Sequence, residues 1–461
     1  MTWFSTHNHS YFSNFRLRDS VNMPEKIIDE AIKKNLSGLV LSDHETLAGT
    51  LKFYEYYEKL KKENKLPDGF KIGIGNEIYL VDKEVKEMMD NNMKVKFNHF
   101  LLLAKNQKGF EFLKKQTSKA WENSRVFRGM ERTPTYKNEL EEMMKDYKGD
   151  IIASTACVGG ELPQLLLELN EAVEEKLDET QIRRRIDYFI KNMINIFGKD
   201  DFYIELQPSY QSDQLIANEW LRKISKAYGL KCIVTTDAHY LNKEQAEFHK
   251  QYLTAQEGER EVESFYSTTY IFSTEELREY FTDEDFLQEM IKNTNEIKDK
   301  IEHINFKQDI KIPIAHIPKF ELSQNHIEKI DLDKYKNINI MLKSDQEIDR
   351  YYIHLCIEGM IEKNEEFNEL NLSRIDLEFG EVIAISEHMK QPMSSYFVLM
   401  KELVDIMWEV SLVGIGRGSA ACYYTNFLLD IVQINPLKYD LPHWRFLTAS
   451  RPELPDELTS L

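Results

Sequence analysis

At 461 residues, 42% hydrophobic and 11% aromatic, the chain has room for two or three domains and too much apolar content to be disordered. A formal net charge of −19 excludes attraction to nucleic acid by the whole protein's field, so phosphate contacts must come from local basic patches or bound cations. Cys157, Cys232, Cys356 and Cys422 lack zinc-knuckle or disulfide spacing, and no leader pattern or bilayer-length apolar run is seen, so a cytoplasmic protein without membrane contact is expected.

The first run, "TWFSTHNH" (2–9), reads as a strand in which alternation puts His7 and His9 on one face. "MPEKIIDEAIKKN" (23–35) has helical spacing, "GLVLSDHE" (38–45) is a β-type run, and a Tyr- and Lys-rich helix follows at 50–64. Next come "KIGIGNEIYL" (71–80), "FNHFLLLA" (97–104), a long helical tract (108–123), "GDIIASTAC" (149–157), "FYIELQ" (202–207) and "KCIVTTDAH" (231–239). Seven strand candidates, mostly separated by helices, predict a parallel α/β barrel. From about 265 the texture turns helical: "STEELREYF" (273–281) opens on a capping pattern, and "EDFLQEMIKNTNEIKDKI" (284–301) is amphipathic. Residues 307–345 read as an irregular linker, and helical periodicity returns at 346–366 and 395–409.

Each strand candidate carries a metal-binding residue at or near its end: His7 and His9, Asp43 and His44, Glu77, His99 (early in its run), Cys157, Glu205, and Asp237 with His239. A single histidine at a strand end is ordinarily a satisfied polar residue. Seven such ends meeting on one barrel face point instead to metal. The mixture of imidazole, carboxylate and one thiolate suits zinc, manganese or iron. The ligands outnumber one tetrahedral site, so two or three ions are expected, a set that clamps a phosphate ester and acidifies bound water.

Together "HNHS", "LSDH", "GNE", His99, Cys157 and "TDAH" resemble the PHP (polymerase and histidinol phosphatase) domain, most of all the copy that begins bacterial replicative DNA polymerase III alpha subunits. "RTPTYKNELEEM", "STACVGGEL" and "HYLNKEQAEFHKQYL" share that likeness, and "HSYFSNFRLRDSVN" fits the first motif with a short insertion. The resemblance implies a distorted (β/α)7 barrel. It places metal ligands at His7, His9, Asp19, His44, Glu77, His99, Cys157, Asp237 and His239. It also implies metal-dependent 3′–5′ exonuclease proofreading. Asp43 is expected to orient a neighbouring ligand, and Glu205 is a weaker candidate for the cluster. The alternatives are a metal-braced, non-catalytic scaffold and a small-molecule phosphoesterase; the latter leaves residues 265–461 unexplained.

"GIGRGSAA" (414–421) follows a helix and the β-type run "SLV"; its glycines, Arg417 and Ser419 suit a phosphate. With "MSSYFVLMKELVDIM" (393–407) and "DIVQINPLKYDLPHWRFL", it resembles the palm of the same family, with Ile415 where proline is usual. That implies nucleotide-phosphate contacts from Gly416, Arg417, Gly418, Ser419 and Arg445. The family continues from "RPELPD" into aspartates that hold two catalytic magnesium ions, whereas "RPELPDELTSL" offers Asp456 alone. The chain is therefore expected not to polymerise DNA by itself, and magnesium is expected only in a completed polymerase. Half of a split polymerase completed by a second polypeptide, an interrupted gene and a truncation all fit. The expected organisation is a PHP phosphoesterase domain (1–265), a helical connector and linker (266–345) and the beginning of a palm (346–461). DNA is the expected partner, in a bacterial or phage-infected cell.

Overall fold

The computed structural model describes residues 2–255, 265–306, 311–416 and 418–452. The chain divides into two compact units, Met1–Lys307 and Gln308–Leu461.

Among the described residues the first unit contains ten strands: β1 (Phe4–Ser5), β2 (Gly38–Leu41), β3 (Lys71–Val81), β4 (Asn98–Ala104), β5 (Arg125–Phe127), β6 (Met130–Arg132), β7 (Pro134–Tyr136), β8 (Ile151–Ser154), β9 (Phe202–Leu206) and β10 (Lys231–Val234). Seven form one path, β1-β2-β3-β4-β8-β9-β10, with β7 added along β3. Just past β1 and β10 the two edges meet: the His9 amide donates to the Ala238 carbonyl at 2.9 Å and the Ala238 amide to the His7 carbonyl at 3.2 Å. The sheet is thus a nearly closed barrel, which leaves few unpaired edge groups. All seven strand candidates appear as strands, but not all are parallel. β4 runs antiparallel to both β3 and β8. β5 and β6 form a separate hairpin turning through Arg128 and Gly129, both at positive φ.

Side-chain alternation makes two cores from one sheet. Phe4, Val40, Leu101, Leu103, Ile152, Tyr203 and Ile233 fill the barrel interior. Their neighbours in sequence, including Leu39, Leu102, Ala153, Ile204 and Cys232, face the surrounding helices. Strands buried on both sides read as continuous apolar runs, as "GLVL" and "KCIV" do. Helix Pro24–Lys33 starts with proline in its first turn and buries Ile27, Ile28 and Ala31. Helix Glu284–Lys300, capped by Asp283, packs on β1 and β10, and Ile297 and Ile301 join the interior core. Removing an interior residue such as Leu101 would cost about 2–5 kcal/mol.

The second unit is helical. Helices Lys336–Lys343, Glu347–Glu362, Glu369–Met389 and Ser394–Val410 surround a core that includes Tyr352, Phe379, Phe397 and Tyr423. The stretch expected to be a linker contains helices Gln324–Ile327 and Lys336–Lys343; Ile338 and Met341, three apart, bury one face of the latter. The β-type run at 411–413 is not a strand. Leu412 is 92% exposed, and no strand in this unit is available among the described residues to pair with it.

Candidate metal centre

The barrel's strand ends carry the chemistry. Glu45, Ala156 and Asp237, just beyond β2, β8 and β10, adopt positive φ, an uncommon conformation for side-chain-bearing residues. β4 explains why His99 lies early in its run. Because the strand is antiparallel, its first residues sit beside the last residues of its neighbours, and His99 pairs with Tyr79.

All nine residues expected as ligands come together here. One nitrogen each from His9, His44 and His239 forms a close group; a second joins His7, His9, Glu77 and Asp237; a third joins Glu77, His99 and Cys157; within each group the donor atoms lie within 4.8 Å of one another. Asp19 Oδ2 stands 3.4 Å from both His44 Nε2 and His239 Nε2. His9 and Glu77 each belong to two groups, so the site is a chain of overlapping donor sets rather than one ring.

Many of these contacts are close without being hydrogen bonds. Asp237 Oδ1 lies 3.0 Å from His9 Nε2 and 3.3 Å from His7 Nε2, and Glu77 Oε2 lies 2.6 Å from His44 Nδ1. Yet His7 Nε2, His9 Nε2, both His44 nitrogens, Asp19 Oδ1, Glu77 Oε2 and Asp237 Oδ1 are all buried without a hydrogen-bond partner. Such atoms are costly to bury unless something else completes them. Donors about 2.0–2.2 Å from one ion are themselves roughly 3–3.5 Å apart, the spacing of Asp237 from His7 and His9 and of Asp19 from His44 and His239. The donor set therefore fits divalent metal.

A further layer fixes which nitrogen faces inward. His7 Nδ1 is 2.7 Å from Glu205 Oε1, and Glu205 also accepts from Ser154, Thr235 and Gln207. A carboxylate there keeps the proton on Nδ1 and leaves Nε2 bare. Glu205 therefore stands behind His7 rather than among the clustered donors. Asp43 accepts from the Ser10 amide and from the Ser10 and Ser13 hydroxyls. Since Ser13 Oγ spends its proton on Asp43, it must accept from His9 Nδ1, 3.1 Å away. His239 Nδ1 is held by the Asp237 carbonyl at 2.7 Å.

Electrostatics follow from packing acids and imidazoles without solvent. Burial opposes charge on His7, but Asp237, Glu205 and Glu77 outweigh it and raise its pKa. Burial likewise opposes charge on His44, yet Asp19 and Glu77 push it up to about 10. His9 goes the other way: burial, then the His44 and His239 charges, lower it to about 3. Glu77 and Asp237 are pulled below the usual carboxylate range by surrounding imidazoles that overcome burial. Burial, then Asp237 and Glu77, raises the Cys157 thiol. On His7, His44 and His239 an extra proton balances carboxylate charge that a bound cation would otherwise balance, and cations displace protons from such sites.

Comparison with known proteins places this geometry. A PHP domain model matches residues 5–209, and a model of the bacterial DNA polymerase III alpha NTPase domain matches residues 349–457. A DNA-directed DNA polymerase of Bacillus phage SPbeta is 41% identical over 469 residues, covering 98% of this chain and 36% of that protein. The DNA polymerase III subunit alpha of Helicobacter pylori is 30% identical over 468 residues, and that of Borreliella burgdorferi 29% over 451. These alignments cover 98% and 96% of this chain, and 34% of each relative. The chain belongs to the DNA polymerase III alpha family and carries a PHP domain. It spans about a third of the length of these relatives.

The PHP match ends at 209, yet Asp237 and His239 complete the donor sets because β10 returns beside β1. Sequence reasoning missed three residues around this PHP centre. Tyr266 Oη donates to Asp19 Oδ2 at 3.3 Å. His249, held neutral by burial with its pKa lowered to about 4, donates from Nε2 to the Asp19 carbonyl at 2.6 Å. Glu45, buried and raised to about 7 by desolvation, accepts from the Tyr79 amide and Thr135. Glu45 adjoins "SDH", and the other two follow "TDAH"; this adjacency was the only available signal.

In the second unit Gly416 and Gly418 have φ 149° and 62°, and the turn Gly418–Cys422 packs against the turn His443–Arg445. Gly418 and Arg445 are exposed, while Gly416 and Ser419 are half-buried. Arg417 and Asp456 lie outside the described residues. No helix among the described residues is long and apolar enough to cross a membrane.

Proposed function

We propose that the PHP domain is a metal-dependent phosphoesterase that hydrolyses the 3′-terminal phosphodiester of DNA, with His7, His9, Asp19, His44, Glu77, His99, Cys157, Asp237 and His239 as ligands. The observation that carries this reading is the set of buried donor atoms that converge without completing one another's hydrogen bonds. Two or three ions of zinc, manganese or iron, when bound, would supply Lewis acidity, an acidified water and a clamp for the phosphate ester. The protein's own part is positional. Glu205 and the Ser13–Asp43 pair keep protons on the outer nitrogens of His7 and His9, so their Nε2 lone pairs face inward. Glu77 and His9, each shared between donor groups, hold neighbouring positions at a fixed separation. The chain with manganese or zinc is expected to trim single-stranded DNA from its 3′ end, and His9→Ala or Asp237→Ala to abolish trimming. Equal trimming by both variants would overturn the reading.

A second reading, a metal-braced scaffold, is favoured by how deeply the donors are buried; only the His99 side chain, 22% exposed, is open to solvent. It predicts that a chelator lowers the melting temperature of a chain without nuclease activity.

For the second unit, we propose that Gly416, Arg417, Gly418, Ser419 and Arg445 contact nucleotide phosphates in a DNA polymerase. The exposed glycine turn beside the turn that carries Arg445 supports this. Arg445→Ala is expected to weaken binding of a deoxynucleoside triphosphate, and unchanged binding would count against it.

A further inference from the structure

The least explained charge in the first unit is Arg16. It follows the helical turn Tyr11–Phe15, is 6% exposed, and lies over the Tyr79 ring with Cζ 4.3 Å from the centroid. Tyr79 contacts His99 and His44 at ring-centroid distances of 5.0 and 6.0 Å, so Arg16 borders the proposed metal centre. Its Nε donates to Thr133 Oγ1 at 2.9 Å. Its Nη1 and Nη2 are buried with no hydrogen-bond partner, and no carboxylate among the described residues forms an ion pair with it. Glu45 feels the Arg16 charge, but its oxygens are already taken by Tyr79, Thr135 and Gln116.

A second guanidinium stands nearby. Arg132, at the end of β6, is half-buried over the Phe97 ring at 4.9 Å, and its Nε is also buried and unpartnered. The backbone brings the two arginines together: Arg132 precedes Thr133, which Arg16 grips, and Pro134 pairs with Tyr79. Arg16's like charge, after burial, lowers the pKa of Arg132. Two adjacent, partly desolvated guanidiniums without a carboxylate in ion-pair contact are unfavourable alone and are stabilised by an anion. Their planar forks match the oxygens of phosphate. In a chain of net charge −19, such a pair is a local exception placed beside the strand ends.

We propose that Arg16 and Arg132 form an anion subsite for a phosphate of the nucleic-acid strand held at the PHP centre. The identity of the strand rests on the phosphoesterase reading above; the anion site rests on the unpartnered guanidinium nitrogens. The test is calorimetric titration of the full chain, in the presence of a chelator, with inorganic phosphate and with a deoxynucleoside 5′-monophosphate. Both ligands are expected to bind. Arg132→Met, on a partly exposed hairpin, should weaken binding at least about tenfold, and Arg16→Lys, which keeps charge but loses the fork, should do the same. Absence of binding to the unaltered chain, or equal binding by Arg132→Met, would overturn the subsite and leave internal water as the partner of these nitrogens. With manganese added, loss of trimming alongside arginine-dependent phosphate binding would sink the nuclease reading alone. Trimming with an unchanged KM in Arg132→Met would sink the subsite alone.

Discussion

Two buried glutamates, one in each unit, show what separates a structural carboxylate from one prepared for a ligand. Glu378 is fully buried, and the protein satisfies it: Arg374 Nε donates at 2.7 Å, the Tyr424 and Thr425 amides at 2.7 and 2.9 Å, and the Thr425 hydroxyl at 2.9 Å. Glu77 is 1% exposed, yet its Oε2 has no hydrogen-bond partner, and four histidines, His7, His9, His44 and His99, crowd it. Burial raises the Glu378 pKa because Arg374 and three donors do not fully offset it, whereas the histidines pull Glu77 down despite burial. The same residue type, equally buried, is closed by hydrogen bonds in one unit and left open in the other.

The sharpest test of this contrast is thermal unfolding in excess zinc and in chelator. Glu378→Ala removes the carboxylate that pairs with Arg374 and leaves the buried Tyr424 and Thr425 donors without an acceptor, so it should cost about 3–5 kcal/mol in both conditions. Glu77→Ala should erase a metal-dependent stabilisation of about 4 kcal/mol, the value for free ion near a thousandfold its Kd, while costing much less in chelator. If zinc stabilises the Glu77→Ala chain as much as the unaltered one, Glu77 is a structural carboxylate like Glu378.

A smaller effect comes from Asp43, whose pKa burial raises from 3.8 to about 6 against the opposing Ser10 amide, the two serine hydroxyls and His44. A raised carboxyl pKa means that the folded state favours the neutral acid. Its contribution is present below the unfolded value and is lost as pH rises through about 6. In chelator, the unaltered chain should therefore lose about 2 kcal/mol relative to Asp43→Asn between pH 4 and 7. Parallel stability curves for the two would show that the hydroxyls and amide already stabilise the ionised form.

How much of this was legible in the sequence follows from what periodicity can carry. The seven barrel strands were readable because continuous apolar runs end in polar ligands, and the donors at those ends include His7, His44 and Asp237. Strand direction was not, since a period of two is the same read either way; only the early position of His99 marked β4 as reversed. The short strands β5, β6 and β7 escaped because three residues cannot show alternation. Asp19 emerged from family resemblance, not from pattern, because it sits in a loop. "SLV" misled because β propensity reflects packing against neighbours, and Leu412 has no strand beside it. Arg16 was invisible as a site residue, since its meaning lies in the partners its nitrogens lack.

Glu205 offers the finest distinction between closed and open carboxylates, because it is satisfied like Glu378 yet serves the open cluster. It accepts from His7, Ser154, Thr235 and Gln207 and touches none of the clustered donors except through His7. Glu205→Gln preserves shape but presents an amide to His7 Nδ1, weakening the bias that keeps His7 Nε2 bare. Metal affinity should fall about 10–100-fold, or roughly 1.4–2.7 kcal/mol, as measured by competition with a chelating dye. The loss should be confined to metal binding, with melting in chelator changed far less than by Glu378→Ala. Unchanged affinity would mean that the His7 ring is held by its packing alone, and that its hydrogen bond to Glu205 only satisfies a buried acid.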